Sequence, residues 1–209
     1  MKKLLIILIL LLSINYLHAQ INAITETGDE VLLYPDGTWA YLNDSLVETK
    51  TIEVNEKKFT KSKSASFLVK SKKLNIGVWI NPKHWTFERA NENDASEFNF
   101  TRKGEDLYAM LISEKMEIPI VTLKQVAFEN AREVAPDIKI VNEEYRFVNG
   151  IMVYMMQMNG SIQGMRVTYC GYYYSNSNGT IQLITYTAAN LFDDYKDQVE
   201  ELLNGLVEL

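Results

Sequence analysis

The sequence predicts an α+β domain, an antiparallel β-sheet flanked by two helices and preceded by a small β-hairpin. Two observations carry that reading. From Arg146 to Thr187, three Asn-Gly dipeptides (Asn149-Gly150, Asn159-Gly160 and Asn178-Gly179) punctuate runs of Met, Tyr, Ile and Val. Alternating apolar runs broken by Asn-Gly are the signature of consecutive antiparallel strands joined by tight hairpins. In addition, two stretches repeat apolar residues at helical spacing, one in mid-chain and one near Leu202.

The first 19 residues read as a secretory leader. Met1-Lys2-Lys3 is a short basic start, Leu4 to Ile14 is mostly apolar, and Ala19 supplies the small residue that a signal peptidase needs before Gln20. The apolar run is too short to span a bilayer, so the expectation is an exported protein, cleaved between Ala19 and Gln20, with no stable membrane span. The chain has 21 basic against 27 acidic residues, a net charge of −6, and no basic stripe. Nucleic acid is therefore excluded as a partner, because phosphate neutralisation supplies most of such affinity. The one cysteine, Cys170, has no internal partner. Export without disulfides fits a bacterial envelope, periplasmic or secreted, and a chain large enough to rely on its apolar core.

Residues 20–42 are expected to form a β-hairpin module. Gly28-Asp29 and Pro35-Asp36-Gly37 are turn signals, and Val31, Leu33, Trp39 and Tyr41 alternate at strand period. A ribbon this small is marginal alone, so it must dock on something. Residues 43–66 are polar and lysine-bearing and read as a linker with at most a short strand at Ile52 to Val54.

The main domain is assigned to residues 67–209. Leu74 to Ile80 is strand-like, Asn81-Pro82 breaks it, and His84 to Phe87 restarts extended structure. Glu97 to Arg102 and Leu107 to Ser113 form a hairpin about Gly104. Thr122 and Gln125 have the spacing of a capping box, and Leu123, Val126, Ala127, Asn130, Ala131 and Val134 form one helix face that Pro136 ends. Ile138 to Phe147 opens the meander. Asn190 is positioned as the N-cap of the last helix, with Leu191, Tyr195, Val199, Leu202 and Leu206 on its apolar face.

With that element order in place, the chain from Phe67 onward resembles the Mog1/PsbP-like fold. The resemblance rests on an N-P-x-x-W entry to a strand, a mid-chain helix, a meander rich in aromatics, a T-Y-T strand and a closing helix, with Trp85, Tyr186 and Phe192 as the matching residues. It implies an exported bacterial α/β sandwich and transfers no functional residue, since fold does not fix function. The D-G-T-W segment (Asp36, Gly37, Trp39) is similar to a short module near the N-termini of exported proteins of the Bacteroidetes type.

Among chemically capable residues, only His84 remains as a histidine after the leader, so a triad or a His-rich zinc site has too few bases. Cys170 sits mid-strand between Tyr169 and Gly171, where a buried inert thiol is the simpler reading. Asn91 to Asp94 and Asp193-Asp194 lack the spacing of a calcium loop, and neither a metal nor a cofactor is expected. Met and Tyr concentrate in the meander, and Tyr172, Tyr173 and Tyr174 are consecutive; consecutive strand residues cannot all face inward, so at least one ring should be partly exposed. The expectation is a non-catalytic binding or interaction protein of the bacterial cell envelope. Trp79, His84, Trp85, Tyr172, Tyr173 and Tyr174 would contact an envelope protein or a small apolar ligand. Two other readings stand beside it: an envelope enzyme using His84 with Glu88, Glu97 or Glu114, and a structural accessory docking through Asp36, Gly37 and Trp39.

Overall fold

A computed structural model describes residues 21–25, 28, 30–33, 39–41, 52–91 and 95–209. The chain divides into two compact units, Met1–Lys50 and Thr51–Leu209. In the first, strands β1 (Ile21–Ile24), β2 (Glu30–Leu33) and β3 (Trp39–Tyr41) form an antiparallel sheet in the order β1-β2-β3. Gly28 turns the chain between β1 and β2 at φ 89°, a conformation that favours glycine. The leader, the Asp36-Gly37-Thr38 turn and the carboxylates of Glu92 to Asp94 lie outside the described residues.

The second unit starts with β4 (Val54–Phe59). That strand corrects the linker reading of 43–66. Only Phe59 of its six residues is buried, so its composition looks like solvated coil. Strands β5 (Phe67–Lys70), β6 (Ile76–Ile80), β7 (Trp85–Arg89), β8 (Phe98–Arg102) and β9 (Leu107–Glu114) precede helix α1 (Ile120–Val134). The meander follows as β10 (Lys139–Val148), β11 (Ile151–Ile162), β12 (Met165–Asn176) and β13 (Gly179–Ala188), then α2 (Lys196–Leu203) and β14 (Leu206–Glu208).

These strands build two sheets: an eight-stranded one, β4-β10-β11-β12-β13-β9-β8-β7, and a three-stranded one, β14-β6-β5. The large sheet is mixed rather than wholly antiparallel, because β4 runs parallel to β10. Strands β9 and β10 run in the same direction with three strands between them, and α1 is the crossover that joins them.

The large sheet is covered on both faces, and this is what makes its central strands apolar on both sides. Alternation sends Met155, Cys170, Tyr172, Ile181 and Leu183 to one face, where they meet the small sheet and Val199, Leu202 and Leu203 of α2. Tyr154, Met156, Met158 and Tyr173 point to the other face, under Leu123 and Ala127 of α1.

Four boundaries differ from the sequence reading. Asn149-Gly150 is a tight turn, with φ of 47° and 94°, but the next turn is Gln163-Gly164 at φ 50° and 84°. Asn159-Gly160 lies inside β11, where a Cβ on Gly160 would come within 3.0 Å of the Ile138 Cα. Helix α1 begins two residues before Thr122, with Pro119 at the N-cap and no capping side chain; its buried face is Leu123 and Ala127, while Val126 and Val134 are exposed. Asn190 caps nothing: residues 189–195 are turns, and α2 starts at Lys196. Leu206 leaves the helical register at Gly205 and pairs with Val78 as part of β14. The turn at Gly205 is fitted tightly, because a Cβ there would overlap the Trp79 carbonyl.

Candidate functional site

The residues expected to make contacts do not gather into one surface. Trp85 is 2% exposed and Tyr172 and Tyr173 are 0% exposed, so these three belong to the core. Of the Tyr172 to Tyr174 run, expected to leave at least one ring partly exposed, Tyr172 and Tyr173 turn to opposite covered layers and are enclosed, and Tyr174 is the ring that stays partly exposed. Tyr174 reaches the rim, where its hydroxyl donates to Glu208 Oε2 at 3.2 Å and accepts from Asn176 Nδ2 at 3.0 Å. Trp79 is half-buried on the outer side of β6, with the Lys61 ammonium 4.8 Å from its ring centre.

His84 is exposed, in a turn that Asn81 organises: Asn81 Oδ1 accepts the Lys83 amide at 3.0 Å, and its carbonyl accepts the amides of His84 and Trp85. The side-chain partner of His84 is Asn81 Nδ2 at 3.3 Å. Glu97 is buried and already engaged, accepting Ser71 Oγ–H and the Lys72 amide at 2.6 Å each, so it secures the loop after β5. Glu88 is exposed on β7 and Glu114 is exposed at the end of β9. None of the three carboxylates bonds to His84.

Two polar networks sit inside the domain. Arg146 packs 4.5 Å from the Phe59 ring centre, pairs with Glu144 and with Glu200 Oε1 at 3.5 Å, and donates to the Tyr172 hydroxyl at 3.1 Å. The Tyr172 hydroxyl in turn donates to Asn204 Oδ1 at 2.8 Å. This joins β10, β12 and the end of α2. Arg102, which is buried, pairs with Glu105 and Glu201 beside the Trp85 ring. Cys170 lies under the first network. Burial pushes its thiol up to about 12, so it remains protonated and unreactive at neutral pH. Among the described residues no three His, Cys, Asp or Glu side chains gather as a metal ion would require.

One open surface with recognition chemistry was not singled out from the sequence. Tyr108 of β9, Tyr186 of β13 and Tyr169 of β12 lie side by side in the sheet register, Tyr108 opposite Tyr186 and Tyr186 opposite Tyr169. Their ring centres are 5.6 and 6.0 Å apart. They share the α1 face of the sheet: Tyr169 and Ile184 pack against the helix-covered cluster, and Tyr108 and Tyr186 extend from it beside partly exposed Met110 and Ile112. Tyr108 is 36% exposed and the other two are half-buried, and no described residue hydrogen-bonds their hydroxyls. Burial raises the Tyr169 and Tyr186 phenols above the usual range, so these two rings present neutral O–H groups. Tyrosine offers rigid apolar area with a polar tip, the combination favoured in binding surfaces. The sequence signal existed only in part: hairpin pairing aligns Tyr169 with Tyr186, but nothing local places β9 beside β13.

No family model and no curated protein matches the chain. Among solved structures, the cyanobacterial PsbP protein (CyanoP) from Synechocystis superposes with a TM-score of 0.52 at 15% identity, over 71% of this chain and 95% of that one. LpqN, involved in cell envelope biogenesis of Mycobacterium tuberculosis, superposes at 0.43 and 12% identity over 63% of this chain and 82% of its own, too loosely to carry an argument. The first likeness and the element order together give the domain a Mog1/PsbP-like fold.

Proposed function

We propose that the protein is an exported, non-catalytic binding protein of the bacterial cell envelope that engages an envelope protein through the Tyr108, Tyr186 and Tyr169 ladder. The observation that carries this reading is the ladder itself: three adjacent rings, partly open to water, at the margin of the face that α1 covers. Exposed contiguous apolar area on a folded domain marks interaction sites. Export rests on the leader pattern of Met1 to Ala19. The enzyme reading, with His84 and a carboxylate, is weakened because Glu97 is held by the Ser71 loop and His84 stands exposed beside Asn81. The Asp36-Gly37-Trp39 hairpin remains a separate docking proposal.

The test compares the wild-type protein with a Tyr108→Ser/Tyr186→Ser variant in pull-downs from the native envelope, with thermal melts confirming that both are folded. A partner retained by the wild type and lost from the folded variant supports the ladder. Identical captured sets overturn it.

A further inference from the structure

We propose that a second site, on the sheet face opposite the ladder, binds a small carboxylate that carries a neighbouring hydroxyl or ammonium group. A cleft of about 340 Å³ opens where β10 begins, β11 ends and β12 begins, lined by Asp137, Lys139, Val141, Asn159, Ser161 and Arg166 together with the Gly160 backbone. That volume falls in the range of small-molecule sites.

Its lining is rich in donors, and Arg166 lies near enough to Asp137 for their charges to interact. Lys139 and Arg166 close no ion pair with a described residue, in a protein that carries excess acid. Thr168 Oγ1 donates to Asn159 Oδ1 at 2.9 Å, which assigns the Asn159 amide oxygen inward and leaves its Nδ2 hydrogens for a ligand. A planar carboxylate matches the fork of an arginine and gains charge from a lysine beside it.

Asp137 sets the rest of the specificity. Its Oδ1 accepts the Ser161 amide at 2.7 Å, and that bond holds its carboxyl below the usual range, so it stays anionic. The Ser161 hydroxyl and the Arg166 charge also favour the anion; the carboxylate's remaining lone pairs can accept a hydrogen bond from a hydroxyl or an ammonium on the ligand. Two cations against one anion give the cleft a single net positive charge, suited to a monoanion. A phosphate dianion would place its second charge against Asp137.

The experiment titrates isotope-labelled protein with lactate, propionate and inorganic phosphate while following the Gly160 and Ser161 amides and the Asn159 side-chain amide by NMR. Lactate is expected to shift these signals saturably with a millimolar Kd, with propionate and phosphate several-fold weaker. Arg166→Gln and Lys139→Gln, both at exposed positions, should each weaken lactate about tenfold; Asp137→Asn should erase the preference for lactate over propionate. Shifts that do not saturate, lactate binding unchanged by both cation substitutions, or phosphate binding as tightly as lactate would each overturn the proposal. The Tyr108→Ser/Tyr186→Ser variant should bind lactate normally, which separates this site from the ladder.

Discussion

Tyr172 and Tyr173 are neighbours in sequence, equally enclosed, and predicted to respond oppositely to loss of the hydroxyl. The Tyr172 hydroxyl accepts from Arg146 at 3.1 Å and donates to Asn204 at 2.8 Å. Tyr172→Phe removes one ordinary hydrogen bond and one to a charged donor and leaves a half-buried guanidinium short of an acceptor, a loss of about 2 to 3 kcal/mol. The Tyr173 hydroxyl is buried without a hydrogen-bond partner. Tyr173→Phe relieves an unmet desolvation cost, so a gain of about 1 kcal/mol follows. For a domain of this size the two should move Tm by about −4 to −12 °C and about +2 to +4 °C. Urea unfolding at constant m measures the same difference through the midpoint. If Tyr173→Phe proves as destabilising as Tyr172→Phe, the assignment of the two rings to a bonded and an unbonded layer is wrong.

Other perturbations follow from the same geometry. Asn149, at φ 47°, accepts the Lys61 amide and donates to the carbonyls of Asn204 and Leu206, so Asn149→Ala should cost about 3 kcal/mol in urea unfolding, more than an ordinary turn substitution. Cys170 is expected to resist thiol reagents in the folded protein and to react once urea unfolds it, as an absorbance assay of thiol release would register. The same burial gives a pH dependence. A thiol raised from 9.0 to about 12 on folding contributes stability that is fully present below pH 9 and is lost as pH climbs toward 12. Cys170→Ala should flatten that part of an alkaline Tm profile. Gly205→Ala should lower Tm far more than Gly164→Ala, because only the first places a methyl against backbone, at Trp79.

Local chemistry wrote some of this fold plainly and hid the rest. The Asn149-Gly150 turn was legible because both residues adopt positive φ, which few other pairs tolerate. Asn159-Gly160 has the same letters for a different reason: the glycine makes room for Ile138, and the turn is left to Gln163-Gly164. Strand β4 was invisible because an edge strand needs little apolar surface, and Phe59 alone marks it. Leu206 continued a helical repeat through Leu202, yet the backbone turns at Gly205 and the residue serves a strand. The candidate site was harder still. Tyr108, Tyr169 and Tyr186 meet only because β9 docks on β13, a pairing across α1 and three strands that no short-range pattern reports.

The helix α2 and strand β14 come after every other strand of the domain, yet Val199, Leu202, Leu203 and Leu206 fill one of its two interior layers. During synthesis, that layer therefore lacks its lid until residues past Leu206 have left the ribosome. A nascent chain in that condition keeps one interior layer open until its last turn has been made.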